Sequence, residues 1–182
     1  MQHPSPRERR AASALLVLSM LWLPLLGAGP AQAHEHREAR LPQQAWPGRY
    51  LQECASCHIA YPPELLPPAA WQRLMGGLER HFGSDASLDP QDVQLLSHWL
   101  LQASAQGRQA RAAAAPEDRI TRSAWFERKH RQIEAATWRL PSVRSAANCA
   151  ACHGEAALGR FSERELRMPP GLSARQRAAW DD

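Results

Sequence analysis

All four cysteines of the 182-residue chain lie in two pentapeptides of the same form, and each pentapeptide ends in histidine. The first spans residues 54–58 (CASCH) and the second spans residues 149–153 (CAACH). Cysteines three residues apart on a helical turn face the same way, so both sulfurs can bond to the vinyl groups along one porphyrin edge. The histidine that follows then lies beneath the ring, where its imidazole can bind iron. The repeated C-x-x-C-H pattern therefore predicts two covalently attached haems c.

Two other uses of four cysteines are a zinc site and a pair of redox-active disulfides. Zinc ribbons separate their C-x-x-C pairs by about 15–20 residues, whereas these pairs begin 95 residues apart (149 minus 54). Thioredoxin-like disulfides need a βαβ setting, which a chain poor in strand formers does not favour. The predicted haem-attaching residues are Cys54, Cys57, Cys149 and Cys152, and the predicted proximal iron ligands are His58 and His153.

The scarcity of β-branched residues limits the fold class. Val, Ile and Thr together number eight in the whole chain, which is too few to populate the strands of a sheet. We therefore predict an all-α fold. Because the chain carries two haem motifs, we expect this fold to be cytochrome c-like, with two small haem-binding units made of short helices and extended loops. The formal net charge is +4, but no block of Lys and Arg alternates with aromatic residues, so no nucleic-acid partner is expected.

The N-terminal segment has the pattern of an export signal. Three arginines precede an apolar stretch over residues 11–28, and the stretch is followed by Ala31-Gln32-Ala33. Small residues at these two alanine positions are typical of a signal peptidase site. We predict that residues 1–33 are a cleaved signal peptide and that the mature protein is periplasmic; the alternative is a retained membrane anchor.

The remaining chain divides by composition. Residues 103–119 are rich in Ala, Gln and Arg, carry no apolar stripe and include Gly107 and Pro116, as is typical of a linker. We predict a first haem unit over 34–102, a linker over 103–119, and a second haem unit over 120–182 that ends in a polar tail.

The ligand on the far side of each iron comes from a short list of side chains. A helix over residues 68–83 places His81 on the flank of its apolar stripe, where it can reach a buried iron. A second helix, from Pro90 to about Gln102, leaves His98 on its polar side. The candidates are His34, His36, His81, His98, His130, Met75 and Met168.

The second half of the chain offers its own candidate. A helix over residues 123–133 places His130 on the same face as Phe126 and Ile133. We therefore favour His81 and His130 as the distal ligands. Met168 remains an alternative for the second haem, because it lies in a loop that follows the haem motif. The opposite pairing, in which His130 serves the first haem, also stays open.

The two pentapeptides and further segments of the chain form a wider pattern, which covers residues 50–58, 61–63, 65–67, 71, 80–83, 120–122, 125, 130 and 148–153. Together these segments resemble one family, the small periplasmic dihaem cytochromes c. The resemblance implies two low-potential haems, each with two histidine ligands, and places His81 and His130 at the distal positions. It also implies electron exchange with a membrane b-type cytochrome and with a small oxygen-binding monohaem cytochrome c.

These observations favour an electron carrier over an enzyme. Two irons with nitrogen ligands on both sides leave no position for a small-molecule substrate, and contact with the membrane surface is expected to be only transient. The alternative is a dihaem enzyme, a peroxidase or a nitrogen-oxide reductase, in which one haem is open or bound by methionine. A carrier built from two domains with His and Met ligands would need a loop methionine in each half, and the first half offers only Met75 within a predicted helix.

Overall fold

The computed structural model describes residues 46–178 and residue 180, and the predicted signal peptide over 1–33 lies outside them. Within this part of the chain there are helices and loops but no β-strand, apart from two isolated bridges. The all-α prediction is therefore confirmed. The α-helices are α1 (Gly48–Cys54), α2 (Pro68–Met75), α3 (Pro90–Ala105), α4 (Ala124–Lys129) and α5 (Ala174–Ala178). Short 3₁₀ turns lie at Pro63–Leu65, Leu78–Arg80, Pro116–Asp118, Ile120–Arg122, Thr137–Arg139, Cys149–Ala151, Ala156–Leu158 and Glu163–Glu165.

Helix α3 begins where the sequence predicts. The Asp89 carboxylate accepts a hydrogen bond from the Gln91 backbone N–H at 2.9 Å, and Pro90 occupies the first helical position. Both are strong start signals. The helix runs three residues beyond its predicted end, and its last turn includes the buried Ser104, whose hydroxyl donates to the Leu100 carbonyl at 2.6 Å.

Helix α2 is shorter than predicted, so the expectation of one helix over residues 68–83 is wrong. The helix ends at Met75 and is followed by Gly76 and Gly77. Glycine loses more conformational entropy in a helix than any other residue, so the two glycines end it. A 3₁₀ turn then leads to His81, which is held in a tight turn and not on a helix face. In that turn Phe82 has a φ of +52° and Gly83 has a φ of +96°.

Helix α4 also ends early, and the predicted range of 123–133 is wrong at its C-terminal end. Its start is confirmed, because the Ser123 hydroxyl accepts from the Phe126 N–H at 3.1 Å. The last helical residue is Lys129, and the Ile133 N–H bonds back to the His130 carbonyl at 2.9 Å in a tighter turn. His130 therefore sits at the C-terminal end of α4, where its backbone N–H still donates to Phe126.

The main hydrophobic core is built from the N-terminal part of the described chain. Its main cluster of buried residues comes entirely from residues 46–115, where α2 packs against α3. The buried hydrophobic residues beyond position 115 are few and do not belong to this cluster. The second half therefore has few buried apolar side chains of its own. The cluster consists of Trp46, Tyr50, Ala60, Leu66, Ala70, Trp71, Met75, Leu96, Leu100 and Ala115.

The predicted linker is anchored to the first half. Its first three residues continue α3, and Ala115 is buried in the core. The Asp118 carboxylate receives two hydrogen bonds from the Arg73 guanidinium at 2.6 and 2.8 Å. The boundaries of the two haem units stay predictions. No helix among the described residues is long and apolar enough to span a bilayer.

Candidate functional site

The first site forms between the end of α1 and the turn after α2. The imidazoles of His58 and His81 are neighbours, with ring centroids 6.3 Å apart and ring planes at 26° to each other. Cys54 is the last residue of α1, and burial, followed by the charge of Glu53, raises the pKa of its thiol to about 11. Cys57 is exposed beside it. The structure thus brings together four predicted site residues of the first half.

The second site forms between the end of α4 and the 3₁₀ turn Cys149–Ala151. The imidazoles of His130 and His153 have centroids 6.2 Å apart, with planes at 78°. Burial raises the pKa of the Cys149 thiol to about 11, and Cys152 is half-buried next to it. Each motif histidine therefore lies next to the candidate distal ligand from its own half of the chain, and the structure does not show the exchanged pairing.

The spacing of both histidine pairs fits a single metal ion between the rings. A metal binds an imidazole nitrogen at about 2.0 Å, and that nitrogen lies about 1 Å from its ring centre, so two opposed ligands have centres roughly 6 Å apart. The observed separations of 6.3 and 6.2 Å agree with this value. The residues present therefore fit a haem iron at each site.

Backbone carbonyls fix which nitrogen of two imidazoles is available. Nδ1 of His58 lies 2.6 Å from the Ile59 carbonyl oxygen, and Nδ1 of His130 lies 2.9 Å from the Phe126 carbonyl oxygen. A carbonyl can only accept, so each Nδ1 carries the hydrogen and donates it. Nε2 is then left with its lone pair free for a metal, the usual arrangement for a ligating histidine.

The other two imidazoles are kept neutral by their surroundings. Burial, followed by the nearby His130, lowers the pKa of His153 to about 4. Burial and the nearby His58 also lower the pKa of His81. Within the described part of the chain, Nδ1 of both rings is buried without a hydrogen-bond partner. Because the neutral imidazole is the form that binds a metal, both side chains are suited to ligate iron.

The remaining candidates lie elsewhere. Met75 packs in the hydrophobic core, and His98 is exposed on α3 beside Gln102. Met168 is 48% exposed, and His130 occupies the position opposite His153 that a Met168 ligand would need. His34 and His36 lie outside the described residues. No disulfide joins any two of the four cysteines, and no three His, Cys, Asp or Glu side chains in residues 46–178 gather as around a zinc ion.

Aromatic side chains surround the histidines, and sequence reasoning assigned most of them no role. Phe126 stacks on His130 at 4.0 Å with planes at 22°, and Trp138 contacts the same imidazole edge-on at 5.8 Å. Phe161 lies 5.2 Å from His153, and Tyr61 stacks on His58 at 4.7 Å. Only Phe126 shared a predicted helix face with a candidate ligand. The others lie in loops and 3₁₀ turns, where no periodicity marks a buried face.

The chain was compared with known families and structures. Residues 50–161 match the family model of dihaem cytochrome c. The diheme cytochrome type c of Shewanella baltica OS155 is 38% identical, with 72% of this chain and 97% of that chain covered and a TM-score of 0.58. A diheme cytochrome c from Rhodobacter sphaeroides is 36% identical, with 64% of this chain and 98% of that chain covered and a TM-score of 0.57. No curated protein matches the chain.

Proposed function

Because the chain belongs to the dihaem cytochrome c family, we propose that it is a periplasmic, low-potential electron carrier with two histidine ligands on each iron. Family membership establishes two covalently attached haems c and a haem electron-carrier role in general. The ligands, the potential, the compartment and the partners are the proposed part.

The pairing of the four histidines is the observation that carries this proposal. The ring separations of 6.3 and 6.2 Å leave room for one iron in each pair. When bound, haem supplies reversible one-electron chemistry, and a second histidine ligand leaves the potential lower than methionine does. We propose His58 and His153 as proximal ligands, His81 and His130 as distal ligands, and Cys54, Cys57, Cys149 and Cys152 as the attachment residues.

The surrounding side chains support a carrier more than an enzyme. Imidazoles on both sides of each iron leave no position where a small molecule could bind and react. The Phe126 and Ile59 carbonyls hold two of the imidazoles in the tautomer that binds metal, and Phe126, Trp138 and Phe161 pack against the imidazoles of the second pair. The same ligand set before and after electron transfer requires little rearrangement.

The proposed cellular setting rests on the sequence. A signal peptide at residues 1–33 directs export of the chain to the periplasm. Covalent haem attachment and electron donation by a b-type cytochrome in the membrane are both compatible with that compartment. The family resemblance supports a small oxygen-binding monohaem cytochrome c as the soluble partner. Contact with the membrane surface is then transient and occurs through the donor.

The ligation is tested on the purified dihaem protein. We expect the ferric protein to lack the weak far-red absorption band of methionine-ligated haem, and the ferrous protein to bind no carbon monoxide on mixing. The reason is that both coordination positions are filled by nitrogen. A far-red band would place a methionine on one iron, and rapid carbon monoxide binding would favour a dihaem enzyme with an open site.

The two sites should also differ in electron paramagnetic resonance. When the two imidazole planes are parallel, the two iron d orbitals of π symmetry differ in energy. When the planes are perpendicular, these two orbitals are nearly equal in energy. With planes at 26° in the first site and 78° in the second, we expect a rhombic low-spin signal from the first haem and a strongly anisotropic one with a larger maximum g value from the second. Two identical rhombic signals would contradict the ring orientations.

A further inference from the structure

One side chain touches both sites. The ring of Tyr61 stacks on the imidazole of His58 with centroids 4.7 Å apart and planes at 25°. Its hydroxyl donates a hydrogen bond of 2.8 Å to the carbonyl of Ala147, which is 86 positions along the chain. Ala147 lies two residues before Cys149. Tyr61 therefore joins the proximal histidine of the first site to the segment that carries the second haem motif.

Tyr61 is held firmly at its backbone end. Its carbonyl accepts a hydrogen bond of 2.5 Å from the hydroxyl of Tyr50. Tyr50 is a buried core residue whose ring packs against Trp99 at 4.7 Å. Because α1 and α3 supply these two aromatic residues, the position of Tyr61 is set by the main hydrophobic core.

The acceptor segment is held as well. The Asn148 side-chain amide donates to the Val143 carbonyl at 3.0 Å, and Val143 is fully buried. The Cys149 thiol points back to the same Ala147 carbonyl, with the sulfur 3.7 Å from the oxygen. The Tyr61 hydroxyl and the Cys149 sulfur thus meet at one carbonyl oxygen.

We infer that Tyr61 is a positioning residue for electron exchange between the two haem sites, acting through its ring contact with His58 and its hydroxyl contact with Ala147. This inference rests on the proposed carrier function. In the exchange one iron passes from ferrous to ferric and the other from ferric to ferrous, so one electron leaves one centre and enters the other. Tyr61 is neither oxidised nor deprotonated. Its role is to keep the contacts with His58 and with the Ala147 carbonyl in place.

The chemistry of the phenol suits that role. A phenol hydroxyl is a donor and a backbone carbonyl can only accept, so the direction of the bond from Tyr61 to Ala147 is fixed.

The test measures exchange in half-reduced holoprotein, from the line shapes of the haem methyl resonances in nuclear magnetic resonance. Dilution separates exchange within one molecule from exchange between molecules. Tyr61→Phe keeps the ring against His58 and removes only the hydroxyl contact. We expect it to slow exchange within the molecule by about fivefold, or about 1 kcal/mol in the barrier, while the absorption spectra of both haems stay unchanged. Tyr61→Leu, which also removes the ring, should slow exchange at least as much.

Ser142→Ala is the matched control. It also removes one side-chain hydroxyl that donates to a backbone carbonyl, that of Pro170 at 2.7 Å, but it leaves both contacts of the Tyr61 side chain and the bond from Tyr50 in place. We expect its exchange rate to equal that of the parent protein. A Tyr61→Phe rate equal to the parent, or an equal slowing in Ser142→Ala, would overturn the inference. Failure of the carrier proposal is seen separately, as carbon monoxide binding by the parent protein.

Discussion

Replacing His130 by alanine should turn a protein that binds no carbon monoxide into one that binds about one molecule per chain in its ferrous form. The imidazole of His130 lies opposite His153 at 6.2 Å, so its removal opens one face of the second iron. His81→Ala should have the same effect at the first iron. Absorption spectra recorded during carbon monoxide titration of the reduced protein measure the stoichiometry.

Two further substitutions show whether the effect belongs to these histidines. His98→Ala removes an exposed imidazole on α3 that faces neither site, and Met168→Leu removes the other candidate ligand of the second haem. Both variants should remain unable to bind carbon monoxide. If Met168→Leu binds the gas and His130→Ala does not, the distal assignment at the second site is wrong.

Removing the second haem should unfold the second half of the protein and spare most of the first. In a Cys149→Ala/Cys152→Ala variant, we expect amide hydrogen exchange over residues 124–178 to accelerate by at least about 100-fold, or roughly 2.7 kcal/mol in local stability. The reason is that the main buried cluster lies entirely within residues 46–115. The second half therefore depends on the haem for most of its apolar core.

The matched variant is Cys54→Ala/Cys57→Ala, which removes the first haem. Its α2 and α3 helices pack on each other within the protein core, so their exchange should accelerate less than that of residues 124–178 in the other variant. Mass spectrometry after hydrogen exchange resolves the two regions in both variants. Equal loss of protection in the two halves would contradict this dependence on the second haem.

The sequence predicted the chemistry of this protein better than its local geometry. The C-x-x-C-H motifs are short and contiguous, so their spacing alone predicted the two haems that the family comparison supports. The helices that carry the distal candidates were predicted too long. Gly76 and Gly77 end α2, while α4 ends at Lys129, and hydrophobic periodicity continued through both ends.

His81 and His130 nevertheless lie beside the motif histidines. For His130 the reason is local, since its backbone N–H still bonds to Phe126 one turn earlier and so keeps the direction of the predicted helix face. His81 reaches its place through a 3₁₀ turn and is followed by Phe82, whose φ is positive; the helix prediction contained neither feature. The contact between Tyr61 and Ala147 spans 86 positions, and a single sequence carries no signal for such a pairing.

The order of the ligands along the chain has a consequence for assembly. Both histidines of the first pair precede residue 103 and both histidines of the second pair follow residue 119. Each pair closes a loop of only 23 residues, from 58 to 81 and from 130 to 153, and the entropy lost in closing so short a loop is small. Either centre can form from a contiguous stretch of polypeptide, so the N-terminal one can be complete before the C-terminal half of the chain is available.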